Sequence, residues 1–169
     1  SSLVGPADGI AQRFLDRRTD HEVELVVVIG TRVDRPVTPA DALKFIAGYS
    51  VGLDITLRGP DARSLRKSID TYTMLGPFLV TADEVPDLSA LRMQLSVNGS
   101  VRQSTLLSDM LFGAAEQVAY ASKYYTLFPG DLIYTGTPPG VGPIRHGDVI
   151  DADIESIGRL QTRVRAFKT

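Results

Sequence analysis

The chain has 169 residues, 43% hydrophobic and 22% charged, a composition that fits one ordinary globular domain rather than a disordered segment. It contains no cysteine, which excludes a disulfide scaffold, a thiolate metal site and a cysteine nucleophile. Eighteen basic against twenty acidic residues leave a net charge of −2, and no apolar run approaches the roughly 20 residues that span a bilayer. These features predict a soluble cytoplasmic domain with no nucleic-acid or membrane partner.

Residues 22–29 (EVELVVVI) are apolar and β-branched, with Gly30 after them, and predict the first strong strand. Thr38 before Pro39 has the form of a helix start. Ala42, Leu43, Phe45, Ile46 and Tyr49 follow at helical spacing, and residues 48–57 return to extended structure. Leu91, Met93, Leu95 and Val97 alternate with Arg92, Gln94 and Ser96, the pattern of a half-buried strand. Asn98-Gly99 then signals a hairpin, with the return strand beginning at Val101. Ser108 is placed to cap a helix running to about Ser122, carrying Met110, Leu111, Ala114 and Val118 on one side. Residues 132–135, 149–154 and 160–167 read as strands. The fold class expected is α+β and β-rich, with about two helices and no βαβ alternation.

Period two places Glu22 and Glu24 on one face of the first strand, close enough to share a cation. Asp54, an acidic residue interrupting an apolar strand, is the candidate third ligand. An oxygen-only set of this kind suits Mg²⁺, Mn²⁺ or Ca²⁺. A solvated strand face and a strand-end turn are the plainer readings of the same residues. Lys67 lies among Arg58, Arg63 and Arg66, either a solvated basic face or a site for an anion. Residues 135–142 (TGTPPGVG) follow a strand and are able to present backbone amides and a hydroxyl to an anion, or are simply a long turn. They lack the features of a nucleotide-binding loop. His21 precedes Glu22 and is expected on the opposite face, so it is not assigned as a general base. His146 sits in a turn before a strand and reads as structural.

Taken together, HEVELVVVIG (21–30), DALKFIAGYSVGLDIT (41–56), RKSIDTYTMLGPFLVTADEV (66–85), LSVNGSVRQ (95–103), TLFPGDLIYTGTPPGVG (126–142) and HGDVIDADI (146–154) resemble the C-terminal catalytic domain of the fumarylacetoacetate hydrolase family. The resemblance covers almost the whole chain in the family's order. It implies a mixed, rolled β-sheet that usually dimerises, and one Mg²⁺, Mn²⁺ or Ca²⁺ held by Glu22, Glu24 and Asp54. It also implies Lys67 beside the reacting oxyanion, and substrate contacts from Arg58, Gly136 and Thr137. Where many members continue with Arg-Asp and then glutamine, this chain reads Arg58-Gly59-Pro60-Asp61. The family's Y-x-x-H-x-x-E lid stretch does not occur within residues 1–169, so the expectation is a single catalytic domain over 1–169 without that segment.

The function so implied is that of a divalent-metal-dependent enzyme of aromatic-compound catabolism. It would act on a small 2-oxo acid or acylpyruvate through a metal-stabilised enolate, by C–C hydrolysis or keto–enol isomerisation. Decarboxylation of a 2-oxo acid is the alternative within the family. Outside it stand a degenerate domain that binds metal and 2-oxo acid without catalysis, and a structural β-domain whose acidic pair is merely solvated.

Overall fold

A computed structural model describes residues 1–85 and 87–167. Its strands are β1 (Leu3–Val4), β2 (Ile10–Gln12), β3 (Thr19–His21), β4 (Val23–Ile29), β5 (Ile46–Asp54), β6 (Thr56–Leu57), β7 (Thr73–Leu75) and β8 (Val80–Thr81). They continue with β9 (Arg92–Val97), β10 (Ser100–Leu106), β11 (Leu132–Tyr134), β12 (Gly142–Pro143), β13 (Val149–Ile154) and β14 (Gly158–Ala166). Three short helices accompany them: α1 (Pro39–Ala42), α2 (Arg63–Lys67) and α3 (Ala114–Ala121).

One sheet runs β1-β7-β5-β4-β11 with β8 added on β5; a second runs β10-β9-β13-β14-β2, and a third β12-β3-β6. The β1/β7 and β14/β2 pairs are parallel and the others antiparallel, so the arrangement is mixed as expected. The first two sheets curl face to face, β4 meeting β9 while β5 meets β13 and β14. Val23, Leu25, Val27 and Ile29 of β4, Val51 and Leu53 of β5, Met93 and Leu95 of β9, and Ile150 and Ile154 of β13 fill the space between them. Each buried aliphatic side chain of this kind contributes about 1.5–3 kcal/mol. Alternation along β4 therefore leaves Glu22, Glu24 and Val26 on the other face.

The third sheet continues the first. β3 passes into β4 with a break only at Glu22, and β5 passes into β6 with a break only at Ile55. The two breaks lie side by side, where the Asp54 amide donates to the Glu22 carbonyl at 2.9 Å.

Two helical expectations need correction. The helix begun at Thr38 does start there, the Thr38 hydroxyl accepting from the Asp41 amide, but it ends at Ala42, and a 3₁₀ turn (Leu43–Phe45) follows. Ile46 and Tyr49 belong to β5, whose amides and carbonyls pair with both β4 and β8. An apolar run of this length satisfies either period, and the availability of two flanking strands decides it. Ser108 does not cap a long helix. The Asp109 carboxylate accepts from the Thr105 hydroxyl and the Leu106 amide, closing a 3₁₀ turn (Leu107–Asp109), and α3 starts only after Gly113. The hairpin stands as expected, with Asn98 and Gly99 at φ of 51° and 78°, the left-handed pair of a two-residue turn.

Candidate metal centre

The register of β4 against β5 places Val23 opposite Leu53 and Glu24 opposite Gly52. Glu22, Glu24 and Asp54 consequently share the face turned away from the main core, with one carboxylate oxygen of each within 4.8 Å of the others. Gly52 makes the approach possible, because a Cβ there would collide with the Val26 side chain and the Tyr134 ring. Tyr134 is itself fixed by donating its hydroxyl to the Met74 carbonyl at 2.8 Å.

Lys67 ends α2 and does not belong to a solvated face. Its Nζ donates to Glu22 Oε2 at 2.8 Å, to Thr56 Oγ1 at 3.0 Å and to the Asp54 carboxylate. The neighbouring basic residues separate from it: Arg63 is exposed, and Arg66 donates to the Asp61 carbonyl at 3.0 Å. Arg58 reaches the site from the other side, donating from Nε to Asp20 at 2.7 Å and from Nη2 to Glu22 Oε1 at 2.9 Å. In this arrangement Arg58 orients Glu22. Asp20, which sequence reasoning passed over, is buried and paired with both Arg18 and Arg58. It continues the alternation of Glu24 and Glu22 one step back along the chain, and that spacing was the available signal.

The loop after β11 closes the site. Thr135 donates its amide and hydroxyl to the Leu25 carbonyl at 3.1 and 2.8 Å, and the Gly136 amide donates to Glu24 Oε2 at 2.7 Å. Thr137 accepts from Gln103 Nε2 at 2.7 Å. Residues 135–139 also wall a cavity of about 490 Å³, whose other side is mostly apolar, with Met93, Leu106, Met110 and Phe112, and also carries Thr105, Asp109 and Gln117. His21 is buried at the end of β3 with Nδ1 3.0 Å from Gln103 Oε1, engaged there rather than with the carboxylates. His146 lies in the turn before β13, its amide donating to Gln12 Oε1 at 3.1 Å.

The charges do not balance. Asp20, Glu22, Glu24 and Asp54 face Arg18, Arg58 and Lys67, and each of these cations is committed to Asp20, Glu22 or Asp54. Glu24 has the Gly136 amide as its partner. Burial pushes its carboxyl up to about 7, opposed by that amide and reinforced by the Asp54 charge. Burial also raises Asp54, against the pull of Lys67. For Lys67 burial works against the charge, but the Asp54 and Glu22 carboxylates outweigh it and lift the ammonium above the usual lysine value. Lys67 is therefore a fixed positive charge at neutral pH rather than a base. Three converging carboxylates with a residual negative charge and only oxygen donors fit a hard divalent cation. The cavity beside the loop is of a size for a small substrate.

Residues 1–165 match the family model described as "Fumarylacetoacetate (FAA) hydrolase C-terminal". The chain belongs to the fumarylacetoacetate hydrolase family. Among family members it is 51% identical over 166 residues to a maleylpyruvate hydrolase of Aquipseudomonas alcaligenes, covering 98% of this chain and 58% of that protein. It is 36% identical over 176 residues to the mitochondrial oxaloacetate tautomerase Fahd2a of Rattus norvegicus, covering 97% and 56%. A crystal structure of maleylpyruvate hydrolase from Sphingobium sp. SYK-6, in complex with manganese(II) and pyruvate, superposes with a TM-score of 0.94 at 38% identity, covering 99% of this chain and 62% of that one. The chain thus spans less than two thirds of each of these three relatives.

Proposed function

We propose that this domain is the catalytic part of a divalent-metal-dependent enzyme acting on a small 2-oxo acid, with hydrolysis of a maleylpyruvate-like acylpyruvate as its reaction. The convergence of Glu22, Glu24 and Asp54 on one strand face, with Lys67 among them and Glu24 lacking a cation, carries this reading. The 51% identity to a maleylpyruvate hydrolase supports the choice of substrate.

Glu22, Glu24 and Asp54 would hold the ion, Mg²⁺ or Mn²⁺ being the natural choices for carboxylates. When bound, it would supply Lewis-acid stabilisation to a ketone oxygen as that oxygen gains negative charge. Lys67, kept protonated by its carboxylate neighbours, adds a second fixed charge beside that oxygen. Arg58 and the Gly136 amide hold Glu22 and Glu24 in place, as hydrogen bonds to ligating carboxylates do. Thr137, which lines the cavity together with Gly136, presents a hydroxyl to the substrate carboxylate, and Arg58 is the proposed second contact for that anion. The apolar far wall of the cavity suits the hydrocarbon end of the acyl group.

One observation favours keto–enol tautomerisation as the second reading. The side chain nearest in sequence that could activate water, His21, is buried against Gln103. Carboxylates, ammonium and hydroxyl together suffice to stabilise an enolate, whereas hydrolysis also requires an activated water. The exposed side chains Leu111, Phe112, Tyr120, Tyr124, Tyr125 and Phe128 support the further proposal that two copies of the domain pair.

Calorimetric titration of oxalate, a mimic of the pyruvate enolate, tests the reading. Binding in the presence of Mn²⁺ and none in its absence is the expected result. Absence of binding in both conditions would leave a domain without a working 2-oxo-acid site.

A further inference from the structure

Gln103 lies on the return strand of the hairpin, β10, where strict alternation would turn it outward with the exposed Val101. The register instead shifts between Val101 and Gln103, so that Val101 pairs with Ser96 and Gln103 with Leu95. This bulge absorbs Arg102 and re-aims the next side chain, a usual consequence of the extra residue. Gln103 is 1% exposed as a result. The neighbouring Gly140 has a φ of +103°, and a Cβ on it would collide with the Arg102 carbonyl, so the loop after β11 lies directly against the bulge.

The Gln103 amide meets four groups. Oε1 accepts from the Val23 amide at 3.2 Å and lies 3.0 Å from His21 Nδ1, while Nε2 donates to Thr137 Oγ1 at 2.7 Å and to the Pro138 carbonyl at 2.9 Å. Two of these partners permit only one orientation: a backbone N–H can only donate and a backbone carbonyl can only accept. Oxygen therefore faces Val23 and nitrogen faces Pro138, which in turn places a hydrogen on His21 Nδ1. Both hydrogens of the Gln103 nitrogen are used, one on Pro138 and one on Thr137. Thr137 Oγ1 is thereby an acceptor toward Gln103, and its own hydrogen must point elsewhere. Among the described residues that hydrogen meets no protein acceptor.

We infer that Gln103 is a positioning residue for the substrate anion beside the metal centre. It commits the Thr137 hydroxyl to donate toward the bound anion, and it ties the loop of Gly136 and Thr137 to Val23, between the two glutamates. The inference rests on the proposed reading of Thr137 as a substrate contact. Its specific content is that Gln103 acts on the substrate anion through Thr137 and not on the metal. A Gln103→Glu substitution keeps the shape and the acceptor for Val23 but replaces the donor with a second carboxylate oxygen. The Thr137 hydrogen then turns toward that oxygen and is lost to the ligand.

The test uses the full chain loaded with Mn²⁺ and titrated with oxalate, with Mn²⁺ affinity measured separately in the absence of oxalate. Thr137→Val in the natural background is expected to weaken oxalate about tenfold, the scale of one hydrogen bond to a charged group. Gln103→Glu is expected to weaken it to a similar extent while Mn²⁺ affinity changes by less than about threefold. In the double variant, Thr137→Val is expected to add less than about twofold, since the hydroxyl has already been withdrawn. Should Gln103→Glu not fold, judged by its thermal transition, Gln103→Met replaces it without a buried charge. It should lower oxalate affinity about three- to tenfold, again with little loss of Mn²⁺. Losses that multiply in the double variant, oxalate affinity equal to that of the unsubstituted protein, or Mn²⁺ affinity falling in step with oxalate would each overturn the role given to Gln103. If Thr137→Val alone changes nothing while the unsubstituted protein binds oxalate, the assignment of Thr137 fails and this inference with it. If the unsubstituted protein binds no oxalate, the functional reading itself fails.

Discussion

Glu24 keeps its proton up to about pH 7 in the metal-free fold, against an ordinary 4.5, because burial disfavours its charge and outweighs the Gly136 amide and the nearby Lys67 charge. Between those values the folded state binds more protons than the unfolded one, so stability falls as pH rises from about 5 to 7. The loss is about 3 kcal/mol, or a Tm lower by roughly 5–10 °C for a chain of this size. Glu24→Gln should flatten that dependence in thermal melts of metal-free protein, and equal slopes in both proteins would contradict the assignment. The same residue makes Mn²⁺ affinity climb with pH through 7, because the ion must displace the Glu24 proton. Amide substitution of Glu22, Glu24 or Asp54 should each lower Mn²⁺ affinity by about tenfold or more in calorimetry. Lys67→Met is expected to depress turnover by about 10²-fold with a much smaller change in Mn²⁺ affinity. An equal loss of both would make Lys67 merely structural. Strand alternation singled out Glu22 and Glu24, an acidic break in an apolar strand singled out Asp54, a basic run singled out Lys67, and the family resemblance pointed to all four. Gln103 was not, because a bulge reverses its facing and no pattern of residue types announces a bulge.

At the level of elements, the site depends on how closely β4, β5 and β11 approach. Gly52 stands opposite Glu24, and the Tyr134 ring occupies the space where a side chain would be. Gly52→Ala should therefore destabilise the protein by about 1–3 kcal/mol in denaturant unfolding, as overpacking does, and should weaken Mn²⁺ binding by displacing Glu24. Unchanged stability would show that β4 and β5 tolerate a wider spacing. The strands with clean alternation, β9 and β13, were readable to within a residue, as was the Asn98-Gly99 turn. The helices were not. Residues 46–49 satisfy both periods, and their strand state is settled by β4 and β8, which lie far from them in sequence. Similarly, Asp109 captures the Thr105 hydroxyl and the Leu106 amide and breaks the apolar stretch that Ser108 was expected to cap.

Over the whole molecule, the first and third sheets meet at the breaks between β3 and β4 and between β5 and β6, and the candidate ligands lie at that junction. A ligand bound there should hold the first and third sheets together. Mn²⁺ at about 100 times its dissociation constant should raise stability by about 2.7 kcal/mol, seen as a higher Tm, and Glu24→Gln at the same Mn²⁺ concentration should cut that gain to about half or less. Absence of any Tm shift would contradict selective binding of the ion by the folded protein. The curled, mixed β architecture was legible through the family resemblance; composition and periodicity alone reached only a β-rich α+β class. No helix among the described residues is long and apolar enough to cross a membrane.

The most direct test is a crystal structure of the protein grown with Mn²⁺ and oxalate, with the ion located by its anomalous scattering. A single ion is expected within about 2.0–2.3 Å of one oxygen each from Glu22, Glu24 and Asp54, with oxalate completing its coordination on the side of Lys67 and Thr137. An ion bound elsewhere, or oxalate held without contact to it, would contradict the account.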